Sequence, residues 1–180
     1  MKDFVINLLL KSGAVQTDKA PYKLKAGGES DYYVDIRMAV SQPRILRTLA
    51  ALFTWDSIPP DCWAGVAVGG VPLAVACSLA TDTPCLIVRP EAKDHGTKKR
   101  VEGRISYDYT GVVLLEDVAT TGGSAANAID ALVEVGLRVT DLWVVVDREQ
   151  GAQDVVSKYN IGFRALVTGS EIMTHVRRSL

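Results

Sequence analysis

From residue 63 onward, the sequence alternates between continuous apolar runs and segments with apolar residues at helical spacing. The apolar runs are 63–68, 85–88, 112–115, 142–146 and 163–167. The helical segments between them are 71–80, 124–135 and 152–159. Short runs of Val, Leu and Ile predict strands covered on both faces, and strand–helix alternation predicts a parallel sheet. We therefore predict a doubly wound α/β fold with a mainly parallel five-stranded sheet and flanking helices.

The N-terminal part of the chain follows a different pattern. Asp3 is a candidate N-cap for a first helix that ends at Gly13. The apolar stripe of this helix is Phe4, Val5, Leu8 and Leu9. Two short segments flank a glycine turn at 26–29, which predicts a small β excursion. Pro43 opens a further helix that runs to about Trp55.

One segment, residues 89–104, interrupts the alternation. It is polar, lacks a periodic pattern and carries six basic residues against three acidic ones. Connections of this length are uncommon inside a compact domain unless they have a function. We predict a functional loop or a small β arm here, and the alternative is a solvated basic arm without a function.

Composition and charge narrow the class of protein. The 180 residues, 48% of them hydrophobic, suffice for one domain with a substantial core, so we predict a single domain over 1–180. A net charge of −1 provides no basic field for nucleic acid. No apolar run approaches the length of about 20 residues that spans a bilayer. Cys62, Cys77 and Cys85 lie in apolar surroundings, which indicates reduced thiols and a cytoplasmic location.

Residues suited to ligand binding follow three of the predicted strands. Gly69 and Gly70 follow the first, Glu116 and Asp117 the third, and the pair 147–148 the fourth. Ligands of open α/β sheets bind outside the carboxyl ends of the strands. These three segments are therefore expected to meet at one binding edge.

The segment 112–124 is the most informative of the three. An apolar run ends in Glu116 and Asp117, and the turn from Thr120 to Ser124 then leads into a helix. Such a turn directs backbone N–H groups and a helix N-terminus at one point, which attracts phosphate. It matches neither the P-loop nor the dinucleotide fingerprint. The added carboxylates favour a phosphorylated sugar with a divalent cation, whereas Gly-Gly-Ser alone would fit an ordinary turn.

Several segments resemble a known family. Leu-Leu-Glu-Asp-Val-Ala-Thr-Thr-Gly-Gly-Ser at 114–124 is similar to the 5-phosphoribosyl 1-pyrophosphate (PRPP) motif of the type I phosphoribosyltransferases. Arg-Pro-Glu-Ala-Lys-Asp-His-Gly at 89–96 resembles the catalytic loop of the branch that acts on orotate. Residues 24–27, 32–35 and 65–74 resemble further segments of that branch, in the same order. The resemblance implies the type I fold, with an N-terminal hood over about 1–40 and a mobile catalytic loop at 89–104.

The resemblance also implies a reaction: transfer of the 5-phosphoribosyl group from PRPP to orotate, giving orotidine 5′-monophosphate and pyrophosphate. The implied PRPP-binding residues are Gly69, Gly70, Arg89, Lys93, His95, Glu116, Asp117, Val118, Ala119, Thr120, Thr121, Gly122, Gly123 and Ser124. Among them, the turn 120–124 (the phosphate turn) would hold the 5′-phosphate. Glu116 and Asp117 (the acid pair) would bind the ribose hydroxyls, and Gly69 and Gly70 (the glycine pair) would bind the pyrophosphate.

Catalysis of this reaction would depend on opposite charges at the two ends of the breaking bond. Asp117 would offset positive charge on the ribose, while Lys93 and His95 would stabilise the departing pyrophosphate. His95 is alternatively a proton donor to the leaving group.

The resemblance further implies that Lys25, Thr120 and Arg148 bind orotate. For Arg148, a surface salt bridge with Asp147 or Glu149 is the alternative. Mg²⁺ would be held mainly by PRPP and water, because this ion rarely occupies an all-protein cage. The implied assembly is a homodimer in which the catalytic loop closes over the neighbouring site.

The sequence departs from the family pattern at two positions and leaves other functions open. Pro90 replaces a second basic residue of the loop, and Ala26 replaces a common serine. One alternative is a phosphoribosyltransferase for another base, and a second is a non-catalytic regulator that binds PRPP or a nucleotide. A third is a nucleotide-processing enzyme with a similar phosphate turn. The presence of Lys93 and His95 favours an enzyme over a non-catalytic regulator.

Overall fold

The computed structural model describes residues 1–17, 21–23, 29–89 and 99–178. Its helices are α1 (Lys2–Lys11), α2 (Arg37–Val40), α3 (Pro43–Thr54), α4 (Gly70–Thr81), α5 (Gly123–Glu134), α6 (Ala152–Ser157) and α7 (Gly169–Arg178). Its strands are β1 (Val15–Gln16), β2 (Tyr22–Lys23), β3 (Glu29–Ser30), β4 (Tyr33–Val34), β5 (Cys62–Val66), β6 (Cys85–Val88), β7 (Val101–Glu102), β8 (Val112–Ala119), β9 (Val139–Asp147) and β10 (Gly162–Thr168). Across these ranges, every helix is too short or too polar to cross a bilayer.

The central sheet has the strand order β10-β9-β8-β5-β6-β7. The first five of these strands are mutually parallel, which confirms the predicted doubly wound α/β architecture. The predicted number of strands was wrong by one, because β7 adds to the edge antiparallel to β6. It lies within the polar segment 89–104 and is only two residues long, so it has no apolar pattern of its own.

The sheet separates two hydrophobic cores, and successive residues of β8 alternate between them. Val113 and Leu115 face a core shared with α1, α3 and α4. Val112 and Leu114 face a second core shared with α5 and α6. Because both faces are covered, the strand reads as a continuous apolar run. In the first core, the Trp143 ring lies 5.5 Å from that of Trp63, centroid to centroid.

The first helix differs from its prediction in its cap and in its buried face. Asp3 lies in the first turn, and the N-cap position is Met1. The residues buried by α1 are Val5, Ile6 and Leu9, whereas Phe4 is 55% exposed. The stripe is rotated because α1 packs against β10 and α7, elements that the local pattern does not contain.

Two small antiparallel ladders connect α1 to the helical part of the chain. β1 pairs with β4, and β2 pairs with β3 across residues 24–28, which lie outside the described ranges. The predicted β excursion is therefore confirmed in the described residues by the pairing of β2 with β3. These ladders lead Ser30 and Tyr32 toward the carboxyl edge of the sheet, where Tyr32 lies against Gly169 at the start of α7.

Helix α7 has no counterpart among the predicted elements. It begins with a capping box, in which the Glu171 N–H donates to Thr168 Oγ1 at 3.3 Å. In return, the Thr168 N–H donates to Glu171 Oε2 at 3.0 Å. The Thr-x-x-Glu spacing of this motif is visible in the sequence and would have indicated the helix.

Candidate active site

The predicted phosphate turn joins β8 to α5. Gly122, the N-cap of α5, has a φ of +82°, and no side chain caps the helix. A Cβ at this position would lie 3.0 Å from both Ala152 Cα and Val155 Cβ, so only glycine fits. Thr120, Thr121, Gly123 and Ser124 are exposed, while Ala119 is buried beneath them. The helix therefore presents an open N-terminus, rich in hydroxyl groups, which is suited to a phosphate.

The acid pair lies within the carboxyl-terminal half of β8, where little water reaches it. Glu116 is 8% exposed, and burial together with the charge of Asp117 raises its pKa to about 8. Burial also raises the pKa of Asp117, although the Val118 N–H, 3.0 Å from Oδ1, and the charge of Arg37 oppose the shift. Glu116 is therefore mostly protonated at neutral pH in the unliganded protein.

The raised pKa of Glu116 predicts a pH-dependent stability. Folding raises this pKa from 4.5 to about 8, so the folded state retains a proton that the unfolded chain releases. We expect the free energy of unfolding to fall as pH rises from about 5 to about 8, by on the order of 3 kcal/mol. Urea denaturation at several pH values measures this slope.

The matched variants are Glu116→Gln and, as a control, Glu29→Gln at an exposed position of β3. Glutamine reproduces the neutral side chain, so the slope should become flatter in Glu116→Gln only. The same slope in all three proteins would show that Glu116 ionises normally in the folded state.

The predicted pyrophosphate loop packs directly against the acid pair. A Cβ on Gly69 would lie 2.0 Å from Asp117 Oδ2. A Cβ on Gly70 would lie 2.1 Å from the Leu115 carbonyl oxygen. The loop, which also contains a cis peptide bond between Ala67 and Val68, therefore requires small residues at both positions. As expected from the sheet topology, the structure brings the glycine pair and the acid pair together.

A cation near the acid pair was missed by the sequence analysis. Arg37 makes a bidentate ion pair with Asp35, with Nε 2.6 Å from Oδ1 and Nη2 2.9 Å from Oδ2. This contact lowers the pKa of Asp35, and the Arg37 charge also acts on Asp117. Residues 32–35 resemble a family motif, but nothing in the sequence around Arg37 indicated that it would lie near Asp117.

Arg148 lies at the end of β9, beside the phosphate turn. Its backbone N–H donates to the Ala119 carbonyl at 2.9 Å. Its guanidinium points toward the hood, where Nη2 donates to Ser30 Oγ at 3.0 Å and Cζ lies 4.9 Å from the centre of the Tyr32 ring.

The alternative interpretation of Arg148, a salt bridge with a neighbouring carboxylate, is not what the structure shows. Asp147 accepts the Glu149 N–H at 2.9 Å. Glu149 in turn accepts from the Ser170 N–H at 2.7 Å, at the start of α7. Both carboxylates are therefore engaged elsewhere, and the guanidinium remains on the ligand side of the sheet edge.

Arg89 lies at the base of the loop segment. Its backbone N–H donates to the Arg100 carbonyl at 2.8 Å, which continues the β6–β7 ladder. Its Nε donates to Glu102 Oε1 at 2.8 Å. Lys25, Lys93 and His95 lie outside the described residues, as do Ala26 and Pro90, so their predicted roles stay predictions.

Comparisons with known proteins agree with this arrangement. Residues 44–170 match the model of the phosphoribosyl transferase domain. An orotate phosphoribosyltransferase from Halobacterium salinarum is 41% identical over 172 residues, which are 95% of this chain and 96% of that protein. The chain therefore belongs to the phosphoribosyltransferase family.

Solved structures narrow the assignment within the family. The crystal structure of orotate phosphoribosyltransferase from Aeropyrum pernix has a TM-score of 0.84 and 31% identity, covering 97% of this chain and 98% of that one. The Mycobacterium tuberculosis enzyme in complex with PRPP has a TM-score of 0.70 and 26% identity, covering 95% and 98%. These relatives are all orotate phosphoribosyltransferases, so the predicted membership of the orotate branch is confirmed.

Proposed function

We propose that this chain transfers the 5-phosphoribosyl group of PRPP to orotate, giving orotidine 5′-monophosphate and pyrophosphate in pyrimidine biosynthesis. The observation that carries the proposal is the contact of Gly69 with the Asp117 carboxylate, beside the open N-terminus of α5. The glycine pair, the acid pair and the exposed start of α5 lie at one edge of the sheet, which supports assigning them to the pyrophosphate, the ribose and the 5′-phosphate of one ligand. The Mycobacterium tuberculosis relative in complex with PRPP supports the identity of the donor.

The chemistry follows from the order of these parts along the donor. The bond from ribose C1 to the pyrophosphate oxygen breaks with its electron pair on the oxygen, a bond from orotate N1 to C1 forms, and the N1 proton leaves to the released pyrophosphate or to water. With the 5′-phosphate at the start of α5 and the pyrophosphate at Gly69, the ribose lies over Glu116 and Asp117. Positive charge that develops on the ribose is then closest to Asp117, and a buried carboxylate stabilises it more strongly than water does.

The leaving group requires cations, and the polar segment supplies them. We assign Lys93 and His95 to the pyrophosphate on the family resemblance and on their charge. The ion pair of Arg89 with Glu102 fixes the position where the segment leaves the sheet. Arg89 would then contribute its guanidinium to the pyrophosphate from the base of the segment.

The acceptor base binds between the hood and the phosphate turn. Arg148 faces this space, and its planar guanidinium is matched to the carboxylate of orotate. Thr120 follows directly after the residue that accepts the Arg148 N–H, so its hydroxyl lies at the same end of the site. Lys25 belongs to the hood segment and completes the proposed orotate site.

Mg²⁺ is the cofactor that we propose. No group of three or more His, Cys, Asp or Glu side chains in the described ranges forms a metal cage. The acid pair offers oxygen donors but too few to fill an octahedral shell, so PRPP and water would supply most ligands. Bound in this way, the ion would neutralise part of the pyrophosphate charge.

The direct test is release of pyrophosphate that depends on both PRPP and orotate. With Mg²⁺ present, we expect release only when both are supplied, with one orotate consumed for each pyrophosphate. Release with adenine or uracil in place of orotate would indicate another base. Binding of PRPP without release would indicate a regulator, and release of another product a different nucleotide-processing enzyme.

We also propose that the chain forms a homodimer through the outer faces of α3 and α4. Helix α4 is almost entirely apolar, yet Val75 is 41% and Leu79 81% exposed. The two helices line a largely apolar groove of about 680 Å³. A helix that is apolar all round is normally covered.

A second copy is the occupant that fits this surface best. Val68, another apolar residue that is 77% exposed, lies two positions before α4 begins and directly precedes Gly69 of the proposed pyrophosphate loop. A subunit that covers the surface therefore lies beside the active site, which is the geometry that a shared site requires.

Leu79→Asp tests this interface. A buried, unpaired carboxylate at a dimer contact is strongly unfavourable, so we expect a monomer and a loss of at least tenfold in kcat. Light scattering after size exclusion gives the mass, and pyrophosphate release gives the rate. Val133→Asp, on an exposed apolar residue of α5, is the control and should remain dimeric. A dimeric Leu79→Asp protein would place the interface elsewhere.

Two further proposals concern the whole chain. Residues 1–180 form one phosphoribosyltransferase domain, since the hood contacts the same sheet edge that carries the family motif.

We place the protein in the cytoplasm, because Cys62, Cys77 and Cys85 are free thiols.

A further inference from the structure

We propose that Ser30 and Tyr32 are positioning residues that hold the Arg148 guanidinium for the carboxylate of orotate. They would thereby set the preference for a carboxylated base. This inference rests on the proposed function, because it assigns a task to the base-binding side of the same site.

The hydroxyl of Ser30 is oriented by its own neighbours. Ser30 Oγ donates to the Tyr32 carbonyl at 2.8 Å, which commits its single proton. Its lone pairs accept the Tyr32 N–H at 3.3 Å and Arg148 Nη2 at 3.0 Å. The hydroxyl is therefore fixed as an acceptor toward the guanidinium.

Tyr32 provides a second, independent constraint on the same group. Its ring lies beneath the guanidinium, with Arg148 Cζ 4.9 Å from the ring centre, within the range of a cation–π contact. Tyr32 is buried, and a Cβ on Gly169 would lie 2.1 Å from its hydroxyl oxygen. The ring is thus held between Arg148 and the first residue of α7, so it cannot turn away.

The charge of Arg148 is left for a ligand. The groups that contact it, the Ser30 hydroxyl and the Tyr32 ring, are uncharged. Arg148 makes no ion pair among the described residues. Its Nε is buried and has no hydrogen-bond partner there. A guanidinium held by neutral groups and without a carboxylate of its own is prepared to pair with an incoming one.

The first test compares Ser30→Ala with Ser30→Thr. Ser30→Ala removes the hydroxyl oxygen that accepts from the charged Arg148 guanidinium. The orotate KM should therefore rise about tenfold, while the PRPP KM stays within about twofold of wild type. Ser30→Thr keeps the hydroxyl and should restore the orotate KM. Ser157→Ala is the control, because the Ser157 hydroxyl donates to the Asp154 carbonyl on an exposed face, away from the hood.

Uracil, which lacks the carboxylate, serves as a probe of the same site. Its inhibition constant should be unchanged in Ser30→Ala, since a misplaced guanidinium harms only a carboxylated base. A merely structural defect of the hood would weaken uracil and orotate equally, and that result would overturn the inference.

Tyr32 is tested by Tyr32→Phe and Tyr32→Leu. Phenylalanine retains the ring and should keep the orotate KM within about threefold, whereas leucine should raise it about tenfold. If Tyr32→Leu does not fold, the Ser30 variants decide alone. An active wild type with an unchanged orotate KM in Ser30→Ala would refute the inference only. Absence of orotate-dependent pyrophosphate release in the wild type would refute the proposed function as well.

Discussion

Asp117→Asn is expected to lower kcat about 100- to 1,000-fold with only a small change in the KM for PRPP. The carboxylate lies where the ribose acquires positive charge, and a preorganised group of this kind acts mainly in the transition state. Because burial raises the pKa of Asp117, the neutral asparagine should also raise the melting temperature. Steady-state pyrophosphate release and thermal unfolding measure the two effects.

Asp56→Asn provides the matched control for this substitution. Asp56 is exposed in the turn that follows α3, so its replacement should change neither the rate nor the stability appreciably. A normal kcat for Asp117→Asn combined with a raised PRPP KM would mean that Asp117 binds the ground state only. A lower melting temperature would contradict the interpretation of its buried charge.

The second large effect is expected for Arg148→Ala, on the other substrate. Removal of the guanidinium should raise the orotate KM about 100-fold, because a bidentate pair supplies two hydrogen bonds to a charged group. The PRPP KM should stay within about threefold, since Arg148 lies on the hood side of the phosphate turn. Initial rates over a grid of both substrate concentrations separate the two constants.

Arg138→Ala, at an exposed position between α5 and β9, is the control for general loss of positive charge. It should leave both constants unchanged. Equal increases in the two KM values for Arg148→Ala would place this side chain away from the base. A fall in kcat alone would make it part of the chemical step.

The sequence predicted the strands and helices in which the pattern of burial is the same along the whole element. The five parallel strands are covered on both faces, so each shows an unbroken apolar run, and Val112 to Leu115 is the clearest case. A small β arm was one of the two predictions for 89–104, but the place of β7 in the central sheet was not predicted, because Val101 and Glu102 are a strand only through their pairing with Val88 and Ile87. The capping box of α7 is visible in the sequence as Thr168 and Glu171, although no helix was predicted there.

The candidate site likewise contains residues that the sequence predicted and residues that it did not. The phosphate turn and the acid pair are contiguous in sequence, so local chemistry sufficed to identify them. The contact of Gly69 with Asp117 followed from the rule that parallel strands end at one edge. Arg37 beside Asp117, and Ser30 with Tyr32 around Arg148, depend on the path of the hood in space. No spacing in the sequence encodes the distances between residues that lie so far from each other along the chain.

The pairing of β6 with β7 has a consequence for engineering. The Arg89 N–H and the Arg100 carbonyl are hydrogen-bonded neighbours, so the chain leaves the sheet and re-enters it at adjacent points. The entropy of closing a loop between fixed ends grows only slowly with its length, by about 0.6 kcal/mol for each doubling. We therefore expect that the segment between these two residues can be replaced by the corresponding segment of a relative, even one of different length, without a change in the register of β6 and β7. An exchange that preserves the melting temperature but alters turnover would demonstrate this modularity, and a collapse of the fold would disprove it.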